Sequence, residues 1–539
     1  MHESILQGLD WVVLTGYFLV IAAIAWWVIR QQNKTSEDYF LAGRNVGWFV
    51  IGASIFASNI GSEHVVGLAG TGAESGMPMA HYELHAWIVL MLGWLFLPFY
   101  MRSGVFTMPE FLEKRFDARS RWFLSIFSIM GYVLTKVSVT IYAGGIVVSQ
   151  LIGISFLSGA LLTVVITGIY TILGGLRAVV YTEAFQTVVL ILGSLIVTIL
   201  GLQEVGGWAE LRNTVGPDHF NMWRPVTDPD FPWTGMLFGG TIVGIWYWCT
   251  DQYIVQRTLA ANNIKIGRRG AIFGAYLKLL PIFIFLIPGI IAFALRQKGM
   301  LDYGHSDGVF PALVGYLLPV GLRGLVAGGL MAALMSSLAS VFNSSSTLFT
   351  VDIFKKLYPQ ASEQRLVRTG RWATAVVVVL GMLWIPIMEK IGGGVLYQYL
   401  QSVQSYIAPP ITAVFLLGIL WKRMNARGAF VTLLFGLIVG VIRIVLELMK
   451  DDLSGLAVSF ATVNFAHFAI FNFLACVVVC VVSSLSAPAP AESNIRGLTL
   501  STLTEEQKKS NRDSFTIWDI VASVLLLVIV ISILVYFRG

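Results

Sequence analysis

The sequence predicts an all-α membrane protein of about fourteen transmembrane helices, built as two five-helix repeats that each open on a broken helix. Three observations lead there. The chain of 539 residues is 56% hydrophobic and only 12% charged, with a mean hydropathy of +0.76, too few charges to cover a soluble globule of this size. Apolar stretches long enough to cross a bilayer, at ~20 residues per crossing, recur at 10–28, 47–73, 84–101, 122–150, 154–173, 184–202, 235–255, 270–295, 323–352, 371–388, 394–421, 428–448, 460–484 and 516–537. The second is interrupted at its centre by Ala57-Ser58-Asn59-Ile60-Gly61-Ser62-Glu63-His64. A span that loses its helical pattern and gains polar atoms at mid-depth lines a cavity, because lipid cannot satisfy unpaired backbone groups.

Residues 1–46 form an extra helix and an inward loop. The first segment is too long for a signal-peptide core and no small-residue cleavage site follows it, so it is read as a retained span. Residues 47–202 make the first repeat and 235–421 the second. In each, the first member is the irregular one: 47–73, and then 235–253, with Gly239-Gly240 followed by Trp246-Tyr247-Trp248-Cys249-Thr250-Asp251-Gln252. Paired broken helices at matching positions point to an inverted-repeat secondary transporter. Either segment alone reads equally well as a packing device of membrane helices. Between the repeats, 203–234 carries Pro217, Pro225 and Pro232 and is expected to cap the outward side. Residues 422–539 add extra helices joined by an inward linker, 486–514, which opens on Ala487-Pro488-Ala489-Pro490 and is expected to be solvated. Neither segment has the ~50 residues of an independent catalytic domain.

Orientation follows from charge. With both termini outward, inward loops hold roughly 25 of the 36 Lys and Arg residues, among them Arg115, Arg119, Arg268, Arg269, Lys355, Lys356, Lys422 and Arg423. The pI of 9.1 comes from scattered residues that form no basic stripe, which argues against nucleic acid. Cys249, Cys476 and Cys480 all fall in spans with no CxxC spacing. There is no HExxH, GxSxG or Walker sequence, and Gly70-Thr71-Gly72 follows no strand, so no enzyme is expected. The sequons at Asn33 and Asn343 fall in an inward loop and a span, leaving outward loops without a glycosylation signal; this favours a bacterial plasma membrane.

Ala333, Ser336 and Ser337 lie in one helical segment, and serine hydroxyls in helices lean back toward earlier carbonyls. A break just after Ile60 would free the carbonyls of Ala57 and Ile60 at the negative end of a half-helix. Neutral hard oxygens gathered at one point suit a small monovalent cation, sodium, better than a transition metal, which wants imidazole or thiolate. Serines in a membrane helix also simply bond backbone or bridge helices. Polar residues expected at the same depth are Asn59, His64, Glu83, Trp248, Gln252, Lys278, Gln401 and Gln404. Ionisable groups there cost ~2.5–3.5 kcal/mol each and usually face a cavity. A carboxylate, an ammonium, an imidazole and a primary amide offer the donors and acceptors that a ring of hydroxyls demands, with Tyr247 stacking on its C–H face. His64 or Gln401 singly reads equally as an interhelical hydrogen bond. Lys136 and Arg443 are expected to be helix-end or bundle-facing charges that snorkel.

At these residues the chain resembles the sodium/glucose cotransporter branch of the sodium:solute symporters. The match runs through Tyr39-Phe40-Leu41-Ala42-Gly43-Arg44, Gly52-Ala53-Ser54, Ala57 to Ser62, Gly67-Leu68-Ala69-Gly70-Thr71-Gly72, Tyr170-Thr171, Gly174-Gly175-Leu176, Trp246 to Gln252, Gln256-Arg257, Ser336-Ser337 and Trp421-Lys422-Arg423. The resemblance implies a leucine-transporter-type fold of inverted repeats and alternating access coupled to sodium. It implies sodium at Ala57, Ile60, Ala333, Ser336 and Ser337, and solute contacts from Asn59, His64, Glu83, Trp248, Lys278 and Gln401. Tyr247 matches the inner-gate aromatic, and Leu68, Tyr82 and Tyr397 match the outer hydrophobic gate.

Three departures stand out. Ala339 occupies the place of a threonine in members that use a second sodium, so one sodium per solute is expected. Glu183 replaces the usual aspartate on the inward ion route. Gln404 stands where a small hydroxyl residue is common, and Ser62-Glu63-His64 is similar to the inositol-transporting members as much as to the glucose ones. The expected function is therefore sodium-coupled import of a hexose or polyol, with the bilayer as the only other partner and no obligate protein partner. The alternatives are a symporter of the same fold for myo-inositol or another small solute, such as proline, a nucleoside or a sialic acid, and a sugar sensor that does not translocate.

Overall fold

Long runs of Leu, Val, Ile and Ala leave the backbone no partner in lipid except itself, and the chain accordingly folds into helices throughout. The computed structural model describes residues 4, 6–30, 35–61, 63–391 and 396–538. Among them one isolated bridge, Asn221 to Arg538, is the sole extended pairing. Eleven helices are long and apolar enough to cross a membrane, twelve if Ser36–Arg44 and Trp48–Asn59, bent by 109°, form one span. Leu322–Leu357 has 94% of its apolar window buried and is the central post, whereas Gly8–Arg30 and Ile517–Tyr536, at 28%, form the rim. Phe156–Val205 is 50 residues long, ~75 Å at helical rise, and breaks at Gly175 with φ 56° and ψ −159°.

The second expected span is broken. Trp48–Asn59 ends at Ile60, whose backbone is extended (φ −82°, ψ 94°), and the chain resumes as a π-helical turn, Glu63–Leu68, followed by Ala69–Ser75. Ser62, inside the polar interruption, and Asn33 of the sequon lie outside the described residues. Both halves are held by Ile264–Gln297. A Cβ on Gly52 would come within 2.8 Å of the Gly270 carbonyl and 2.9 Å of the Gly274 nitrogen, and one on Gly72 within 3.3 Å of the Gly289 Cα. Small residues thus let backbones touch on either side of the break.

The other break sits later than its glycines suggested. Gly239 and Gly240 are helical, in Gly235–Gly239 and Gly240–Ile245, and the non-helical residue is Asp251 (φ −79°, ψ 127°) between Trp246–Thr250 and Gln252–Leu259. These glycines serve close approach instead: a Cβ on Gly239 would lie 3.1 Å from the Ala466 Cα.

The segment 203–234 carries a helix, Trp208–Val215, and is strapped to residues 536 and 537 by Trp208 Nε1 to the Tyr536 hydroxyl (2.8 Å) and Met222 N–H to the Phe537 carbonyl (3.0 Å). The linker 486–514, expected to be solvated, is anchored to the helices. Arg268, fully buried, donates to Asn511 Oδ1 and Ser514 Oγ, both at 2.7 Å, beside the helix Glu505–Asp513. A buried guanidinium needs acceptors, and this segment supplies them. Asp10 accepts from the Gly321 and Gly324 N–H groups (2.6 and 2.8 Å), holding the start of Leu322–Thr347.

Candidate functional site

At the first break the normal helical bonding fails. The Gly61 N–H, the usual donor to Ala57, bonds the Asn59 carbonyl at 3.1 Å, while His64 and Val65 N–H groups turn to Gly61 O at 3.1 and 3.3 Å. The carbonyls of Ala57 and Ile60 are thereby released from the ladder. Leu322–Thr347 passes this point. Ser336 Oγ lies 2.9 Å from both the Ala57 and Ala333 carbonyls, and Ser337 Oγ lies 3.4 Å from Ser58 O and 2.6 Å from where a Cβ on Gly61 would stand. Ala57, Ile60, Ala333, Ser336 and Ser337 are all buried. Among the described residues no group of three His, Cys, Asp or Glu side chains could hold a metal ion. The donors at this point are hard oxygens, which suit an alkali cation.

Beside the break, a cavity is lined by Asn59, His64, Tyr82, Tyr247, Trp248, Lys278, Gln401 and Gln404, residues drawn from separate spans. Glu83 is not in its wall. It is fully buried behind it, 2.5 Å from Lys278 Nζ and 3.5 Å from His64 Nε2, and His64 in turn lies 3.3 Å from Asn59 Nδ2. The carboxylate therefore orients the groups that face the cavity. Lys278 Nζ stands 5.4 Å from the Trp248 ring, and Trp248 meets Tyr247 edge to face at 4.9 Å. Of the three residues expected to form the outer gate, Tyr82 lines the cavity, Leu68 is buried on the π-helical turn and does not line it, and the side chain of Tyr397 lies outside the described residues.

Lys136 corrects its expectation: it does not snorkel. It is buried, 3.1 Å from Asp251, and lies over the rings of Tyr253 (3.7 Å) and Tyr247 (4.3 Å), in the cavity wall. The unwound Asp251 and the aromatic faces compensate its charge. Arg443 does face the bundle, donating to the Val463 carbonyl at 2.9 Å. Gln252 does not line the cavity: it accepts from Met108 N–H (2.9 Å) and donates to Phe106 O (3.1 Å), fixing the loop before Met108–Arg115. One turn back along Trp48–Asn59, Glu183 accepts from Ser340 (2.6 Å), Ser58 (3.2 Å) and Ser54 and pairs with Arg257 at 3.4 Å. Ala339 packs with Tyr170, Val179 and Met335 and brings no hydroxyl of its own.

The residues that sequence reasoning missed are Glu63, Lys136, Asp251 and Arg257. Each is an ionisable group inside an apolar segment, which was the available signal. Their partners lie far along the chain, 115 residues for Lys136 and Asp251, so pairing could not be read.

With this geometry in view, comparison with known proteins is specific. The model of the sodium:solute symporter family matches residues 39–436. Sodium/glucose cotransporter 4 of Mus musculus is 41% identical over 530 residues, 91% of this chain and 77% of that protein. Sodium/myo-inositol cotransporter 2 of Bos taurus is 40% identical over 533 residues, 92% of this chain and 79% of that protein. Among solved structures, a substrate-bound outward-open state of a Na+-coupled sialic acid symporter superposes with a TM-score of 0.77 at 24% identity, covering 90% of this chain and 99% of that one, a likeness of fold.

Proposed function

Because the chain belongs to the sodium:solute symporter family, a family of transporters and not of enzymes, we propose that it is a sodium-coupled symporter importing a hexose or polyol by alternating access, one sodium per solute. The observation that carries this reading is the junction at the first break, where the Ser336 hydroxyl joins the freed Ala57 carbonyl to Ala333 at 2.9 Å each. Sodium at Ala57, Ile60, Ala333, Ser336 and Ser337 ties the half-helix to the central post. That favours one arrangement of the repeats and sets Asn59 and His64, which continue directly from the ion ligands, for the solute. Ion and solute share one conformational equilibrium, so each raises affinity for the other by the same factor.

In the solute site Lys278, Gln401, Asn59 and His64 supply donors and acceptors, Trp248 and Tyr247 the apolar faces, and Glu83 the orientation of Lys278 and His64. Tyr82, Leu68 and Tyr397 close the outer side. One sodium rather than two is supported by the missing hydroxyl at Ala339. Fourteen spans in two inverted five-helix repeats follow if the break at Gly175 divides Phe156–Val205 and each broken helix, 48–75 and 235–259, crosses once. In this arrangement residues 47–202 and 235–421 are the repeats and 203–234 the outward loop between them. The loop charges orient the carrier in a plasma membrane; its bacterial assignment rests on the sequons.

The test is uptake of labelled glucose, galactose and myo-inositol into proteoliposomes. The intact protein accumulates one of them in sodium and not in choline. Changing both Ser336 and Ser337 to Ala abolishes the sodium stimulation; stimulation that survives the double change removes this ion site. A sensor would bind sugar and accumulate none.

A further inference from the structure

Glu63 is the acidic residue in the cavity wall, and the symport reading does not use it. Its Oε2 is buried and has no hydrogen-bond partner among the described residues. A buried carboxylate in that condition is costly, and native proteins keep one where an ion or ligand completes it. Its place identifies which. A Cβ built on Gly61 would meet the Ser337 hydroxyl at 2.6 Å and the Glu63 carboxyl carbon at 2.8 Å, so the carboxylate and an ion-site hydroxyl stand side by side over the unwound backbone.

The charges around the cavity point the same way. Glu83 is matched by Lys278 at 2.5 Å, Asp251 by Lys136 at 3.1 Å and Glu183 by Arg257 at 3.4 Å. Glu63 is left over, and one monovalent cation at the break makes the buried assembly neutral. We propose that Glu63 supplies a carboxylate oxygen to the sodium site, so that the site carries a formal charge in addition to the neutral oxygens of Ala57, Ile60, Ala333, Ser336 and Ser337. The inference rests on the symport reading and adds a coupling device to it. Sodium quenches the unmatched charge on the cavity wall and readies the cavity for a neutral polyhydroxyl solute, and an occupied cavity holds the ion more tightly in return.

The test is sodium binding without solute. Purified full-length protein in detergent is titrated with sodium chloride at constant ionic strength against choline, following tryptophan fluorescence and thermal stability, since a ligand of the folded state raises the latter with concentration. Glu63→Gln raises the sodium midpoint about tenfold, and because it removes an unmatched charge, it unfolds at the same or a higher temperature than the wild type in choline. Glu63→Asp, which keeps the charge on a shorter arm, shifts the midpoint about threefold and serves if the first variant cannot be recovered folded. A midpoint within twofold of wild type in the recovered variant overturns the proposal. If the KM for solute rises at the same time, the carboxylate is a solute-hydroxyl acceptor instead. Loss of the sodium response in Ser336→Ala/Ser337→Ala tests the underlying ion site separately: a persisting response there sinks the symport site, whatever Glu63 does.

Discussion

Single ionisable residues decide the character of this site, and the paired ones are tolerable because of the particular partners they meet. Glu83 faces no cavity, yet it holds Lys278 at 2.5 Å and His64 at 3.5 Å. Glu83→Gln leaves a buried ammonium without its counter-charge, a change that costs about 3–5 kcal/mol in comparable pairs. Thermal unfolding should show a clear loss of stability and uptake should vanish. Replacing Lys278 by Met in the same protein should restore stability but not uptake, since no unmatched charge remains and a solute donor is gone. Glu83 and Lys278 were legible because charge in a span is rare. The same rule applied to Lys136 led to a snorkelling side chain, because nothing in the local sequence announces Asp251 and the ring of Tyr253 that receive it.

At the level of elements, the break after Asn59 was legible from polar residues at mid-span, and the second falls at Asp251 inside the expected irregular segment 235–253, not at its glycines. Glycine signals both kinking and close packing, and Gly239-Gly240 serve the second, against Phe465–Leu485. The connecting turns carry their own constraint. Asp307, in the turn Ser306–Gly308 between two spans, has its carboxyl pushed up to about 6, first by burial and then by the nearby Glu74. A group whose folded-state pKa exceeds its unfolded value binds protons more readily when folded, so stability falls as pH rises through about 6. Asp307→Asn should therefore raise the unfolding temperature at pH 8 and leave it nearly unchanged at pH 4, as thermal scans in detergent can establish.

For the whole molecule, the symport reading moves one positive charge inward with each neutral solute. A potential of 100 mV adds about 2.3 kcal/mol per charge, roughly a fiftyfold accumulation on top of the sodium gradient. Proteoliposomes clamped at an inside-negative 100 mV should reach that extra ratio, and simultaneous current and flux should give one charge per solute; two charges per solute would show that the missing hydroxyl at Ala339 does not exclude a second ion.

Composition and segment length were enough to establish a helical membrane protein, because a backbone in lipid has few ways to satisfy itself and each leaves a mark along the chain. The ordered motifs from Tyr39 to Arg423 were enough to indicate the family. The company each buried charge keeps came only from folding. Lys278 meets Glu83 across 195 positions, Ser336 meets Ala57 across 279, and Glu63 Oε2 has no hydrogen-bond partner among the described residues. Electrostatic pairing acts over a few ångströms in three dimensions, and distance along the chain carries no information about it.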